Sequence, residues 1–314
     1  MSIVRDLDPS KIETFDQLLT AWTNSGGFQA PNIDRAALIL ANSIKDPKCL
    51  KFLSFPAAII ATGARGLISY AIRHRLIDVI ITTCGTVDHD LARTYASYEL
   101  GAFEDSDLTL AAQHLHRLGS VRIPAESYGP TIERVLERFL PQIYDVSTSR
   151  TTEQICAGIG RLMWEEGHHD SLLALAYRHQ IPVFLPGPTD GALGSALWQF
   201  GQNGSKIFID LLEDSDRLAN LIFDHERTSA LCLGGGISKH HTIWWNQFKE
   251  GLDYLVYITT ANEYNGSLSG ARDTEAITWN KLRPNAEYTT VHGEITIVLP
   301  LIILALRERL QLHG

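Results

Sequence analysis

The fold is decided by one nearly continuous apolar run, Ile77-Asp78-Val79-Ile80-Ile81-Thr82. A second run of the same character, Tyr254-Leu255-Val256-Tyr257-Ile258-Thr259, lies nearer the C-terminus. Apolar runs without alternation are typical of strands that are covered on both faces. We predict six strands, at residues 50–55, 77–82, 182–185, 230–233, 254–259 and 288–291. Amphipathic stretches with helical spacing separate them, which indicates an α/β fold with a doubly wound, mostly parallel sheet.

The domain organisation follows from what interrupts this pattern. We find no Pro-, Ser- or Gly-rich linker, no low-complexity tract and no repeat. Residues of about 100–180 lack a clear strand pattern and predict a helical excursion inserted in the sheet. A chain of 314 residues can bury one large core or two small ones. We expect residues 1–314 to form a single domain.

Composition excludes several classes of protein. A formal net charge of −9 argues against a nucleic-acid binder. The four cysteines are scattered without CxxC spacing, which is typical of reduced residues inside a cell. The N-terminus has no apolar signal region, and the apolar run at residues 295–306 is too short to span a bilayer. We therefore expect a cytoplasmic protein without membrane segments.

Four predicted strands are followed by loops rich in small and hydroxyl residues, at residues 83–90, 185–191, 232–241 and 259–263. Ligands of open parallel sheets bind at the carboxyl ends of the strands. The third of these loops contains Gly234-Gly235-Gly236, which lets backbone N–H groups approach a phosphate. It is not the dinucleotide fingerprint, and such glycines equally often make only a tight turn. Four such loops at one edge favour a nucleotide pocket.

The histidines do not predict a metal site. The pairs at residues 114/116, 168/169 and 240/241 lack zinc-type spacing with cysteines or carboxylates. His240 differs because it opens the helix after the three glycines, on the expected ligand side. A neutral imidazole there can act as a general base, and the alternative is a surface histidine at a helix start.

Lys281 ends a Gly/Ser-rich stretch that also contains Glu275 and Trp279. An amine beside an indole and a carboxylate can form an imine if its surroundings lower its pKa. The alternative is a solvated lysine at a helix end. With Asp273 as N-cap, Glu275 and Trp279 share a helix face, whereas Lys281 lies about 200° around from Trp279 on a regular helix. We predict that the helix ends before Lys281, as Pro284 encourages, or that a neighbouring subunit completes the pocket.

These motifs together resemble the deoxyhypusine synthase family. The segments that carry the resemblance are Leu233 to His241, Asn265 to Arg272, Glu275 to Lys281, Asp78 to Gly85 and Pro188 to Gly194. They occur in family order between about residues 52 and 300. The resemblance implies a Rossmann-like NAD-binding fold with a helical insertion.

The family's chemistry implies a role for each motif. NAD takes a hydride from spermidine, the lysine matching Lys281 carries the aminobutyl group as an imine, and the group passes to a lysine of the translation factor 5A precursor. His240 would be a base, Glu275 would bind an ammonium, and Trp279 and Tyr257 would line the polyamine slot. The implied NAD contacts are Thr83, Cys84, Gly85, Asp190, Gly234, Gly235, Gly236, Thr260, Ala261 and Glu294. The family also implies a homotetramer with pockets at dimer interfaces.

Several positions depart from the family pattern. Ser195, Leu268 and Asn265 stand where aspartates can occur, and His89 stands where Glu can occur. Ala57-Ala58 falls within a run that is Thr-Ser-Asn in the family. Each lost carboxylate removes a charge-assisted hydrogen bond, about 1.5–3 kcal/mol. Another polyamine is therefore an alternative substrate. Two further functions stay open: a homospermidine synthase-like transfer to a free amine, and a catalytically weak NAD-binding paralogue.

Overall fold

A computed structural model describes residues 3–145, 147–204 and 206–312. The described residues group into two compact units. Unit 1 comprises the described parts of residues 1–55, 74–79 and 218–314, and unit 2 comprises those of 56–73 and 80–217. Whether residues 1–314 behave as the single domain expected from the sequence stays a prediction.

Unit 1 is built on four parallel strands, in the order β11 (Leu282–His292), β10 (Leu252–Thr259), β9 (Arg227–Leu233) and β1 (Cys49–Phe55). Its helices are α1 (Phe15–Ser25), α2 (Ala30–Lys45), α11 (Gly236–Asn246), α12 (Glu275–Thr278) and α13 (Ile295–Arg309). The four strands predicted within this unit are confirmed, and each of them is longer than predicted. The register pairs Tyr257 of β10 with Cys232 of β9 and with Thr290 of β11. Parallel pairing brings the carboxyl ends of β9, β10 and β11 to one edge.

Helices cover this sheet and bury the apolar runs. α2 and α13 pack against β10, and α11 packs against β1 and β9. Arg309 of α13 forms ion pairs with Asp16 of α1 and Asp34 of α2, which ties the three helices together. The apolar run at residues 295–306 lies in α13, where Leu299 and Ile302 are buried. In the described part of the chain, no helix has the length and apolar character needed to cross a membrane.

Unit 2 contains the parallel strands β2 and β7 and most of the remaining helices. Its elements are α3 (Arg65–Arg73), β2 (Val79–Thr82), α4 (Cys84–Tyr95), β3 (Glu99–Leu100), α5 (Asp107–Ala112), β4 (Leu115–Leu118), β5 (Val121–Pro124), α6 (Gly129–Ile143), β6 (Ser149–Arg150), α7 (Thr152–Glu165), α8 (Leu172–Arg178), β7 (Val183–Phe184), α9 (Ala192–Gln202), β8 (Phe208–Ile209) and α10 (Leu211–Phe223). The first residue of β2, Val79, and the part of α10 from Leu218 onward are assigned to unit 1. The α/β class and the parallel strands predicted from the sequence are confirmed.

The helical excursion predicted at about residues 100–180 contains α5 to α8, and it also contains strands. β3, β5 and β4 form a small antiparallel sheet. Two bidentate ion pairs hold its arginines, Arg117 to Asp107 and Arg122 to Asp105. Strands of two to four residues give too short an alternation to be recognised in the sequence.

Candidate active site

Lys281 lies in a pocket of unit 1 with a volume of about 310 Å³. Helix α11, strand β10, the loop before α12, and α12 with the residues after it supply the walls. The lining residues are Lys239, His240, Ile243, Trp244, Tyr257, Leu268, Ala271, Arg272, Glu275, Ala276, Trp279 and Lys281. The structure thus brings together all five catalytic and substrate-binding residues that the sequence predicted in this region.

A helix C-terminus places Lys281 in the pocket. Asn280 adopts a left-handed conformation, with φ of 54°. The N–H of Lys281 donates to the carbonyl of Ala276 at 2.9 Å, and the N–H of Asn280 donates to that of Ile277 at 3.1 Å. This pair of bonds is the Schellman motif, which ends a helix and reverses the chain. The carbonyl of Lys281 then accepts from Leu252 at 3.1 Å, at the start of the β10–β11 pairing.

The predicted helix end is confirmed, since α12 stops at Thr278. Asn280 terminates it, earlier in the chain than Pro284, which lies inside β11. The predicted N-cap was wrong. Thr274 precedes the helix, while Asp273 uses its carboxylate to accept from the hydroxyl of Thr290 at 3.0 Å.

The side-chain amine of Lys281 is surrounded by indole rings. Its Nζ lies 5.3 Å from the ring centre of Trp244 and 5.4 Å from that of Trp279. The residue is only 7% exposed, and burial lowers the pKa of its amine. Because desolvation disfavours the charged form, this pocket favours the neutral amine that a nucleophile needs.

Glu275 and Trp279 share the pocket, as their spacing predicts. Glu275 accepts a hydrogen bond from the backbone N–H of Arg272 at 3.3 Å, while the Arg272 side chain pairs with Glu263. The Glu275 side chain is exposed, so its carboxylate can receive a further cation. It is the single carboxylate among the described residues of the pocket wall.

His240 lines the pocket and is itself exposed. Its ring centre is 5.5 Å from that of Trp244, four residues further along α11. Burial, and then the charge of Lys281, lower its pKa. A neutral imidazole at this position can accept a proton. Tyr257 forms the buried floor, and burial raises the pKa of its hydroxyl, so the ring is uncharged.

The three glycines predicted to approach a phosphate make the turn from β9 to α11. Gly234 and Gly236 have φ of 71° and 73°, a conformation that favours glycine. Gly235 is constrained differently, because a Cβ on it would lie 2.0 Å from Oγ of Ser269. No described side chain caps the start of α11, so its N–H groups remain available to an anion.

Three more predicted NAD contacts in unit 1 lie at the same edge of the sheet. Thr260 and Ala261 follow β10, and Glu294 follows β11 as the N-cap residue of α13. The Ala261 N–H donates to the hydroxyl of Thr259 at 3.1 Å. Unit 1 therefore gathers six of the ten predicted cofactor residues at the carboxyl ends of β9, β10 and β11.

The remaining four predicted cofactor residues lie in unit 2: Thr83, Cys84 and Gly85 at the start of α4, and Asp190 in the loop before α9. The thiol of Cys84 donates to the carbonyl of Pro188 at 3.1 Å, which joins the start of α4 to this loop. The buried carboxylate of Asp88 accepts from the N–H groups of Ala192 and Leu193, both at 2.9 Å. Thr83, Gly85 and Asp190 flank these contacts, with Asp190 exposed.

Comparison with known proteins identifies the family. The sequence model of the family "Deoxyhypusine synthase" matches residues 17–306. The chain belongs to this family. It is 46% identical over 300 residues to a protein of Thermoplasma volcanium named "Probable deoxyhypusine synthase", with 96% of each chain covered. A relative of the same name from Ignicoccus hospitalis is 42% identical over 313 residues, with 98% of this chain and 96% of the relative covered.

A solved structure supports the same fold. A candidate deoxyhypusine synthase from Entamoeba histolytica superposes with a TM-score of 0.64 at 21% identity, and 96% of each chain is covered. At that identity the likeness concerns the fold alone. The resemblance drawn from the sequence motifs is confirmed.

The departures from the deoxyhypusine synthase pattern have different surroundings. Leu268 lines the Lys281 pocket, whereas Asn265 shapes the loop by accepting from the N–H and hydroxyl of Ser267. Ser195 is exposed in unit 2. His89 is buried, its Nδ1 lies 2.8 Å from the hydroxyl of Tyr98, and burial lowers its pKa to about 4. Of these four, only Leu268 touches the pocket described above.

Two pocket residues were missed in the sequence. Lys239 is 1% exposed, and its Nζ donates to the carbonyl of Leu268 at 2.8 Å. Trp244 lines the pocket, and its ring centre is as close to Nζ of Lys281 as that of Trp279. Helical spacing was the available signal, since Lys239 precedes Ile243 by four residues and His240 precedes Trp244 by four. Among the described residues, no cluster of three or more His, Cys, Asp or Glu could hold a metal ion.

Proposed function

We propose that this member of the deoxyhypusine synthase family is an NAD-dependent aminobutyltransferase. It moves the aminobutyl group of spermidine to a lysine of the translation factor 5A precursor. The observation that carries the proposal is the environment of Lys281, a buried amine between two indoles with a lowered pKa. Family membership supports the substrates.

The proposed reaction is balanced without an external oxidant. NAD, when bound, accepts a hydride from the amine donor and returns it at the end. Loss of the hydride and a proton converts the secondary amine of spermidine into an imine. The neutral Nζ of Lys281 adds to the imine carbon, and 1,3-diaminopropane leaves as its carbon–nitrogen bond breaks. The acceptor lysine then displaces Lys281 from the enzyme-bound imine, and reduction of the product imine completes the transfer.

The side chains around Lys281 suit these steps. His240 is uncharged near neutral pH and can take the proton lost from the donor amine. Glu275 is placed to bind a terminal ammonium. Trp244, Trp279 and Tyr257 form an aromatic wall, which suits the methylene chain and the cationic ends of a polyamine.

The proposed cofactor residues fit NAD in their chemistry. Helices α4 and α11 each begin directly after a strand and lack a side-chain cap among the described residues. Uncapped helix starts offer N–H groups and a positive dipole end to a diphosphate. We propose that the six of these residues at the carboxyl ends of β9, β10 and β11 in unit 1 bind NAD, while the four in unit 2 stay a prediction from the family resemblance. We further propose a cytoplasmic homotetramer with its sites at dimer interfaces, as the family implies; sedimentation velocity would test the tetramer.

Chemical trapping tests the proposal. The protein is incubated with NAD and spermidine, reduced with borohydride and digested. The mass of the peptide containing Lys281 is then determined by mass spectrometry. An aminobutyl adduct on Lys281, absent without NAD and absent in Lys281→Ala, is expected. No adduct with spermidine or any of several other polyamines would overturn the proposal.

The acceptor decides between the transferases. After trapping succeeds, the translation factor 5A precursor and putrescine are offered separately. Transfer to the protein lysine is expected. Transfer only to putrescine would instead assign a homospermidine synthase-like activity.

A further inference from the structure

Lys239 is a buried amine that the proposed reaction does not use. Its side chain is 1% exposed, and its Nζ lies 3.5 Å from the ring centre of Tyr257. The amine donates to the carbonyl of Leu268 at 2.8 Å. Asp273 and Glu275 act on it only through space, and neither forms an ion pair with it.

Such a placement is costly for the protein. Removing an ammonium from water is unfavourable unless a partner of opposite charge compensates. Burial accordingly lowers the pKa of Lys239 to about 8. A methionine would fill similar space without this cost, so packing alone does not account for a lysine.

The carbonyl that Lys239 binds belongs to the loop of residues 266–271, here called the pocket loop. Leu268 and Ala271 of this loop line the Lys281 pocket. Residues 269 and 270 of this loop pack closely against other parts of the backbone, which restricts their movement. Ser269 sits against Gly235, and a Cβ on Gly270 would lie 1.9 Å from the carbonyl oxygen of Asn262.

The earlier part of the pocket loop is held by other means. Gly266 is left-handed, with φ of 69°, and nothing lies within 4 Å of a Cβ built on it. Among the described residues, the hydrogen bonds of Ser267 are local: its N–H and hydroxyl donate to the side chain of Asn265, and its carbonyl accepts from the N–H of Gly270. In the part of the chain that the structure describes, the Lys239–Leu268 bond is therefore the side-chain hydrogen bond that links this part of the loop to α11.

We infer that Lys239 is a positioning residue that fastens the pocket loop to α11 and so fixes the wall of the Lys281 pocket. Helix α11 also carries His240 and Trp244, so one bond sets the loop against the proposed base and an indole wall. The catalytic consequence of this role rests on the proposed function, whereas the structural consequence does not.

Hydrogen–deuterium exchange tests the structural consequence. Lys239→Met removes the donor and keeps an unbranched side chain. The amides of residues 267–271 should exchange about tenfold faster or more than in the wild type. Lys249→Met is the matched control, because the Nζ of Lys249 also donates to a carbonyl, that of Ile222 at 2.9 Å, away from the pocket. It should leave the pocket loop unchanged.

A second variant separates loss of the bond from general damage to the fold. Lys239→Gln keeps an N–H donor and should lose less protection in the pocket loop than Lys239→Met. Unchanged exchange in Lys239→Met, equal loss in both variants, or the same loss in Lys249→Met would overturn the inference.

Kinetics test the catalytic consequence. A displaced wall should raise KM for the amine donor about tenfold in Lys239→Met, with a smaller fall in kcat, and the borohydride adduct should stay on Lys281. An adduct on Lys239 of the wild type would make it a carrier and contradict a positioning role. Failure of trapping in the wild type would defeat the proposed function, while the exchange result would still stand.

Discussion

The Nζ atom of Lys281 faces the indole of Trp244 at 5.3 Å from the ring centre. Trp244 comes from α11 and Lys281 from the end of α12, so two separate elements create the dry surroundings of the amine. Burial is what lowers the pKa of Lys281. The indole is therefore part of how the lysine becomes a nucleophile.

Trp244→Leu should shift the rise of adduct formation on Lys281 to higher pH. Exposing Lys281 returns its pKa toward the ordinary value, so a smaller fraction is neutral at pH 7. One pKa unit lowers that fraction about tenfold. The rate of adduct formation, measured by quenched mass spectrometry across pH 6–10, should rise at higher pH than in the wild type. Trp245→Leu is the control, because the neighbouring indole bonds His241 and does not line the pocket; an equal shift in both variants would refute this explanation.

Glu275→Gln should weaken binding of the amine donor. It keeps the shape of the side chain and removes the negative charge that faces an ammonium. A charge-assisted hydrogen bond of about 1.5–3 kcal/mol corresponds to a roughly 10- to 100-fold higher KM. Steady-state kinetics with a series of polyamines measure this change in KM. Glu104→Gln serves as the control, because Glu104 is an exposed residue of unit 2. An unchanged KM would show that another group binds the ammonium.

The titration of Lys239 should make the free energy of unfolding depend on pH. Its pKa is lowered from 10.5 to about 8 by burial, with weaker opposing effects from Cys232, Asp273 and Glu275. The unfolded chain thus binds the extra proton between pH 8 and 10.5, so the free energy of unfolding should rise with pH in that window. Relative to Lys239→Met, the wild type should gain on the order of 3 kcal/mol. Urea unfolding at pH 7.5 and 10.5 measures the gain; parallel changes in both proteins would contradict it.

Asn280 should tolerate glycine and reject a β-branched residue. Its φ of 54° lies in the left-handed region. Asn280→Gly should leave stability nearly unchanged, because glycine is the usual residue at this position of a Schellman motif. Asn280→Val should cost about 1–2 kcal/mol and displace Lys281. Urea unfolding gives the cost, and equal stability of the two variants would contradict the role assigned to Asn280.

The strands and the Lys281 segment could be predicted from the sequence because their signals are local. Buried parallel strands have continuous apolar runs, and Glu275 and Trp279 are separated by one helical turn. Both predictions depend only on residues that are close together in the sequence.

The remaining features depend on contacts distant in sequence. Lys239 lies one helical turn before Ile243, but the two histidines that follow it make the local pattern polar, so spacing alone does not reveal a buried side chain. Its burial follows from Tyr257 on β10 and from the pocket loop. Asp273 is of a residue type that is favoured at N-caps, yet its carboxylate accepts a hydrogen bond from the hydroxyl of Thr290 on β11. Tertiary contacts override local preference at both positions.

The measurement that tests the central claim most directly is the mass of the Lys281 peptide after incubation with NAD and spermidine and reduction with borohydride. The account predicts an added aminobutyl group on Lys281 that depends on NAD and is lost in Lys281→Ala. An unmodified Lys281 with every polyamine offered, in a protein shown to be folded, would contradict it.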